Sequence, residues 1–167
     1  WLGVDALTRA PRFAAHSRET FEAVVDSCER LAEDVFAPCY QAADREEPQF
    51  DGDQVTVHPQ VVGAVRAFAA SGLVAATHDE SVGGMQLPAV VHAAALAYLY
   101  AANIGACAYP ALTMGNASLL LAHGTQAQVD AFALPQLRGE WTGTMCLSEP
   151  QAGSSLSDIA TRAEFEC

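Results

Sequence analysis

Hydroxyls and backbone donors crowd into one short stretch, residues 145–158, MCLSEPQAGSSLSD. Pro150 biases Glu149 towards an extended conformation, so a strand reaching Ser148 cannot curl into a helix there. Ala152-Gly153 then permits a turn whose successive N–H groups point outward. Ser154 and Ser155 add short hydroxyl donors beyond the turn, and Ser148 adds one on the approach. Such a corner holds an oxygen-rich or anionic group without any lysine. It suits the edge of a heteroaromatic ring, a pyrophosphate, or both. An ordinary β-turn capped by serines is the plain alternative.

Charge makes the missing lysines matter. The 167 residues carry 20 Asp+Glu against 8 Lys+Arg, all eight of them arginine, for a net charge of −12. A surface of that sign repels phosphate backbones and anionic lipid, so neither nucleic acid nor a membrane surface is expected as a partner. With 51% hydrophobic and 17% charged residues the chain reads as globular. Cys28, Cys39, Cys107, Cys146 and Cys167 form no C-x-x-C and no zinc-like spacing with histidine, which reads as buried thiols in a reducing, cytoplasmic setting. His16, His58, His78, His92 and His123 are scattered, so no metal is expected. WLGVDALTRAPRF shows no secretory signal, and a chain running from Trp1 to Cys167 reads as a piece of something longer.

The elements behind the corner are helical. Phe21, Val24, Val25, Cys28, Leu31, Val35, Phe36 and Cys39 form one apolar stripe, predicting a helix over 19–42. DREEPQFDGD, 44–53, reads as a loop, and a second helix runs from Pro59 to Gly72. The loop HDESVGGMQLP follows, with Gly83-Gly84 suited to a positive-φ turn and Pro88 opening the next helix. Residues 89–122 are apolar all round. AVVHAAALAYLYAANIGACA matches a membrane span in length, roughly 20 residues, but His92 and Asn103 lie inside it and no basic flank anchors it. Two buried bundle helices, split near Gly105–Pro110, with Tyr98, Tyr100, Tyr109 and Met114 as packing residues, are the expectation.

HGTQAQ, 123–128, places Gly124 in the left-handed position after a helix and makes Thr125 an N-cap, with Gln128 completing a capping box. The helix it opens should turn Val129, Phe132, Ala133 and Leu137 inward and bend or end at Pro135. WTGTMCLS then alternates like a strand. The fold class expected is therefore mainly α. Residues 1–139 read as a helical bundle domain, and residues 140–167 as the incomplete start of a β domain.

CLSEPQAGSS resembles the first signature of acyl-CoA dehydrogenases through Cys146, Leu147, Ser148, Glu149, Pro150, Gly153 and Ser154, with Ser155 where that family usually has Asp. HGTQAQVDAFALPQLRGEWTG resembles the family's segment just before that strand. ESVGGMQLP resembles its EYGGxGLP loop, with Val82 in place of Tyr and Gln86 in place of the third Gly. GEWTGTMCLSEP is also similar to the branch acting on methylthiopropanoyl-CoA and related fatty acyl-CoAs.

The resemblance, covering about residues 20 to 164, implies an N-terminal helical domain, a middle β domain, a C-terminal four-helix domain and, usually, a tetramer. It implies FAD as cofactor and an acyl-CoA thioester as substrate, with hydride passing from Cβ to the flavin while a carboxylate takes the α-proton. By that match Met145, Cys146, Leu147, Ser148, Gly153 and Ser154 border the cofactor, with Ser148 on the ring edge and Ser154 meeting the acyl-CoA. The family's base lies in its C-terminal domain. Glu149 is thus given a structural role, and no catalytic residue is expected in this chain. The alternative is a non-catalytic helical module that pairs with a dehydrogenase-like subunit or a complementary C-terminal half.

Overall fold

In the computed structural model, which describes residues 3–164, the first apolar stripe folds as a continuous helical rod with one seam. α1 (Arg18–Leu31) passes through a π-helical turn at Ala32–Phe36 into α2 (Ala37–Arg45). Ser17 and Thr20 start it by exchanging side-chain and backbone hydrogen bonds, a capping box that satisfies two otherwise orphaned N–H groups. In a regular α-helix a proline ring collides with the carbonyl four residues back. The wider π turn lies just ahead of Pro38 and relieves that clash. Phe21, Cys28, Phe36 and Cys39 are buried, and Val24, Val25, Leu31 and Val35 pack against them.

Where a plain loop was expected at 44–53, the chain forms a small hairpin. β1 (Gln49–Phe50) pairs antiparallel with β2 (Val55–Thr56). The Asp51 carboxylate accepts from the Asp53 and Gln54 N–H groups at 2.9 and 2.8 Å, and Gly52 takes φ +104°. Those two bonds also hold the Asp51 pKa below the usual carboxylate range.

α3 (Pro59–Ala70) follows and gives way to Gly72 at φ +76°. Gly83 makes the expected positive-φ turn at +85°, and Gln86 is itself left-handed at φ +51° where the resemblance would put glycine. α4 (Ala89–Ala102) lies along α1, while α5 (Ile104–His123) packs on α3 and α4. By length and composition α5 is apolar enough to cross a membrane. Here its Ala106, Cys107, Pro110, Thr113 and Ala117 face the interior.

The break between α4 and α5 falls at Asn103, ahead of the expected Gly105–Pro110. Asn103 is 3% exposed, and its side-chain oxygen accepts from the Ala106 N–H at 2.9 Å while its amide donates to the Phe36 carbonyl. Asparagine caps helices well, so the cap, rather than the proline, sets the boundary; Pro110 is absorbed inside α5.

Thr125 and Gln128 build the expected capping box at α6 (Gln126–Gln128). Gly124, however, is extended (φ −74°, ψ 155°) rather than left-handed. A side chain there would meet the Leu120 carbonyl oxygen at 2.6 Å, so close approach is its reason for being glycine. A second π turn, Val129–Ala133, precedes α7 (Leu134–Leu137) and its Pro135. The π turn rotates the register, leaving Val129, Ala133 and Leu137 buried but Phe132 half exposed against Trp141. Tyr98 and Tyr100 are likewise exposed on α4, whereas Tyr109 and Met114 pack on the core.

Candidate functional site

Glycine lets the segment leading to the corner lie flat on α5. A Cβ on Gly143 would stand 2.3 Å from the Gln136 Oε1 and 2.9 Å from the Asn116 Cβ. A Cβ on Gly115 would meet the Met145 Sδ at 3.0 Å. Polar side chains hold the segment at that distance. Thr113 Oγ1 accepts from the Gly143 N–H at 3.0 Å, and the Asn116 amide donates to the Thr144 carbonyl at 3.2 Å. Gln136, 5% exposed on α7, donates to the Asn116 Oδ1 at 2.9 Å, and its own Oε1 is buried without a partner among the described residues.

Downstream of this clamp the chain lets go. Residues 141–148 were expected as a strand, and among the described residues they have no ladder partner. A strand exists only through its neighbours' hydrogen bonds, so this segment is extended chain without a sheet. The N–H groups of residues 144–148 find no backbone acceptor among the described residues. Met145, Cys146, Leu147 and Ser148 are all exposed. The exposed Cys146 departs from the expectation of buried thiols, which holds at Cys28, Cys39 and Cys107; Cys167 lies outside the described residues. Burial raises the Cys28 and Cys107 thiols to about 11, leaving both inert as nucleophiles.

The turn itself is centred on Pro150-Gln151, two residues earlier than expected. Glu149 and Ala152 exchange backbone bonds of 2.8 and 3.1 Å, and Ala152 is buried as the anchor. Proline at the second position of such a turn is pre-set for it. The Ala152 N–H is consumed by the turn, while those of Gly153, Ser154 and Ser155 have no backbone acceptor among the described residues. Gly153 faces open space, where an added Cβ would touch nothing within 4 Å. The hydroxyls of Ser148 and Ser154 are exposed and have no hydrogen-bond partner among the described residues. A cleft of about 320 Å³ opens beside the segment, lined by Ala108, Tyr109, Leu112, Thr142, Gly143 and Thr144.

Glu149 behaves differently from its neighbours. Its Oε2 accepts from the Ala160 N–H at 2.9 Å and its Oε1 from the Thr161 N–H at 2.8 Å, with the Gln151 amide donating to the same carboxylate. Hydrogen bonding from Thr161 and then Ala160 lowers its pKa to about 2. A carboxylate so stabilised is a poor proton acceptor at neutral pH. Sequence reasoning missed the Thr113–Asn116–Gln136 clamp. The only signal for it was a pair of glycines, Gly115 and Gly143, whose meeting is visible only in three dimensions.

Residues 18–140 match the family model of the acyl-CoA dehydrogenase N-terminal domain. The chain is 32% identical over 164 residues to a 3-methylmercaptopropionyl-CoA dehydrogenase of Ruegeria pomeroyi, covering 98% of this chain and 27% of that protein. It is 32% identical over 164 residues to a broad-specificity linear acyl-CoA dehydrogenase of Mycobacterium tuberculosis, covering 97% and 26%. A benzylmalonyl-CoA dehydrogenase of Aromatoleum aromaticum is 33% identical over 144 residues, 84% of this chain and 35% of that protein. The chain thus spans about a quarter to a third of the length of these curated relatives.

Proposed function

Since the chain belongs to the acyl-CoA dehydrogenase family through the N-terminal domain matched at residues 18–140, we propose that it forms the helical part of an FAD-dependent enzyme that desaturates an acyl-CoA thioester between Cα and Cβ. The observation that carries this reading is the open corner at 145–155. The exposed hydroxyls at Ser148 and Ser154 and the N–H groups at 144–148 and 153–155 have no hydrogen-bond partner among the described residues. In a polypeptide rich in unspent donors and lacking lysine, that donor set suits the carbonyl-rich edge of an isoalloxazine ring and a thioester oxygen.

On this reading the flavin supplies the hydride acceptor. Met145, Cys146, Leu147 and Gly153 offer backbone along it, Ser148 donates to its edge, and Ser154 meets the acyl-CoA. Donors aimed at the ring's pyrimidine end favour its reduced form electrostatically. No carboxylate of this chain is assigned the α-proton; Glu149 is committed to backbone N–H groups, and the base is expected outside residues 1–167. Residues 140–167 are read as the start of a β domain that would give 141–148 its missing strand neighbour. A tetramer in the cytoplasm belongs to the same proposal, the latter supported by three buried free thiols. The relatives' names favour a fatty or methylthio-substituted acyl group.

A second reading, a non-catalytic module pairing with another dehydrogenase-like subunit, is favoured by the exposed Ile104, Leu112 and Leu119 on α5 and by the absence of any charged residue on α4. One experiment separates the two. The full reading frame that contains this sequence is expressed, its flavin absorbance is recorded, and acyl-CoA-dependent reduction of an artificial electron acceptor is followed. Yellow, active protein is expected; a colourless product that binds a dehydrogenase subunit would leave the second reading standing.

A further inference from the structure

The corner is pinned at two ends, and only one pin is explained by the helical domain. Upstream, Thr113 and Asn116 hold Gly143 and Thr144 onto α5. Downstream, the two-bond bridge between Glu149 and Ala152 fixes the turn, and residues 153–159 form an exposed loop whose one 3-10 turn, Leu156–Asp158, bonds only within itself. What closes that loop is a single side chain. Glu149 reaches from the turn to two consecutive N–H groups, Ala160 and Thr161, eleven and twelve residues on. Gln151, inside the turn, braces the same carboxylate.

We propose that Glu149 is a positioning residue whose carboxylate clips residues 160–161 onto the 149–152 turn and so holds Ser148 and Ser154 in one arrangement around the bound thioester. The proposal rests on the flavin and acyl-CoA reading of this corner. Three donors on one carboxylate form a set that only a charged, two-oxygen acceptor can satisfy, because charge-assisted bonds are the stronger ones and an amide offers a single oxygen. The intervening segment contains Gly153 and three serines and packs almost nothing. Loss of the clip therefore frees the far end of the loop, whose 3-10 turn bonds only locally and whose residues 160–161 have no other hydrogen bond to the turn among the described residues. The low pKa of Glu149 agrees with this geometry.

The test has two arms. In the full reading frame, NMR of protein selectively labelled at alanine and threonine follows the Ala160 and Thr161 amides. Glu149→Gln should speed their hydrogen exchange about tenfold and leave the buried Ala106 amide, bonded to Asn103, unchanged. Between pH 5 and 3 the two amide shifts should stay flat in the wild type; a titration centred at the ordinary carboxylate value of about 4.3, or unchanged exchange in E149Q, overturns the clip.

In the full reading frame, E149Q should raise KM for acyl-CoA about tenfold and keep kcat within about twofold, with Glu149→Asp recovering part of the loss. A collapse of kcat by a factor of 10² to 10⁴ at unchanged KM would mark a proton-transfer role and overturn the proposal. So would unchanged kinetics. If the wild-type frame is yellow and active but the clip is absent, only this inference fails. If the clip is present but no flavin binds, the reading of the corner fails and the positioning role falls with it.

Discussion

Two glycines of this chain do opposite jobs, and substitution tells them apart. Gly63 sits in the exposed interior of α3 with nothing within 4 Å of where a Cβ would be. Glycine there wastes backbone entropy, so Gly63→Ala should stabilise by about 0.5–1 kcal/mol. Gly143 is filled space. Its Cβ would strike the Gln136 Oε1 and the Asn116 Cβ, and neither can retreat without breaking their mutual hydrogen bond. Gly143→Ala should cost about 1–3 kcal/mol and lift the 143–145 segment from α5. Urea midpoints for both variants check the pair; shifts of opposite sign are the required result. The sequence alone does not tell them apart, because the collision at Gly143 comes from side chains 27 and 7 positions away. A turn between Ser148 and Ser154 was legible, two residues out of place, for the reverse reason. Their surroundings are local, set by Pro150 and the tight turn next to it.

At the scale of elements, legibility followed the same rule. The α1–α2 stripe, α3, the start of α4 and the Thr125–Gln128 box were readable because periodicity and caps act within a few residues. What escaped was decided by the interior. The π turn at Val129–Ala133 swings Phe132 to the surface, and the α4–α5 boundary answers to a buried contact rather than to proline. Asn103 illustrates how much one residue can join. Its oxygen caps α5 at Ala106, while its amide donates to Phe36 O and Cys39 Sγ across the bundle. Asn103→Ala removes a cap worth about 1 kcal/mol and two buried amide bonds, to Phe36 O and Cys39 Sγ, together about 1–3 kcal/mol more. A total loss of about 2–4 kcal/mol is expected in chemical denaturation, and Asn103→Asp should cost at least as much, since it keeps the cap but buries a carboxylate against the Phe36 carbonyl. A loss under 1 kcal/mol for Ala would mean that water replaces those bonds.

For the whole molecule, charge and burial pull in opposite directions as pH falls. The net charge of −12 means that protonating carboxylates relieves self-repulsion and favours the compact state. Buried histidine opposes this. His92, 9% exposed in the first turn of α4, sits 3.2 Å from the Leu73 carbonyl; a carbonyl only accepts, so Nε2 carries the proton of a neutral ring. Burial lowers its pKa, outweighing that hydrogen bond, and the nearby His78 lowers it further. His78 is itself lowered by burial despite Asp79 beside it. Their folded pKa values lie below the unfolded value of about 6.5. Below that pH the unfolded chain therefore takes up protons that the folded chain refuses, and stability falls with acidification. The lowered carboxylates Asp51 and Glu149 lose their contribution only below about pH 4, so the window from 6.5 down to about 5 belongs to histidine. Thermal midpoints measured from pH 7.5 to 5 should then fall more steeply in the wild type than in His92→Gln, which keeps a donor for Leu73 but cannot charge. The charge-repulsion effect is common to both chains and cancels in the comparison. Parallel slopes would mean that His92 is protonated in the fold, and that the interior around α4 is wetter than its burial indicates.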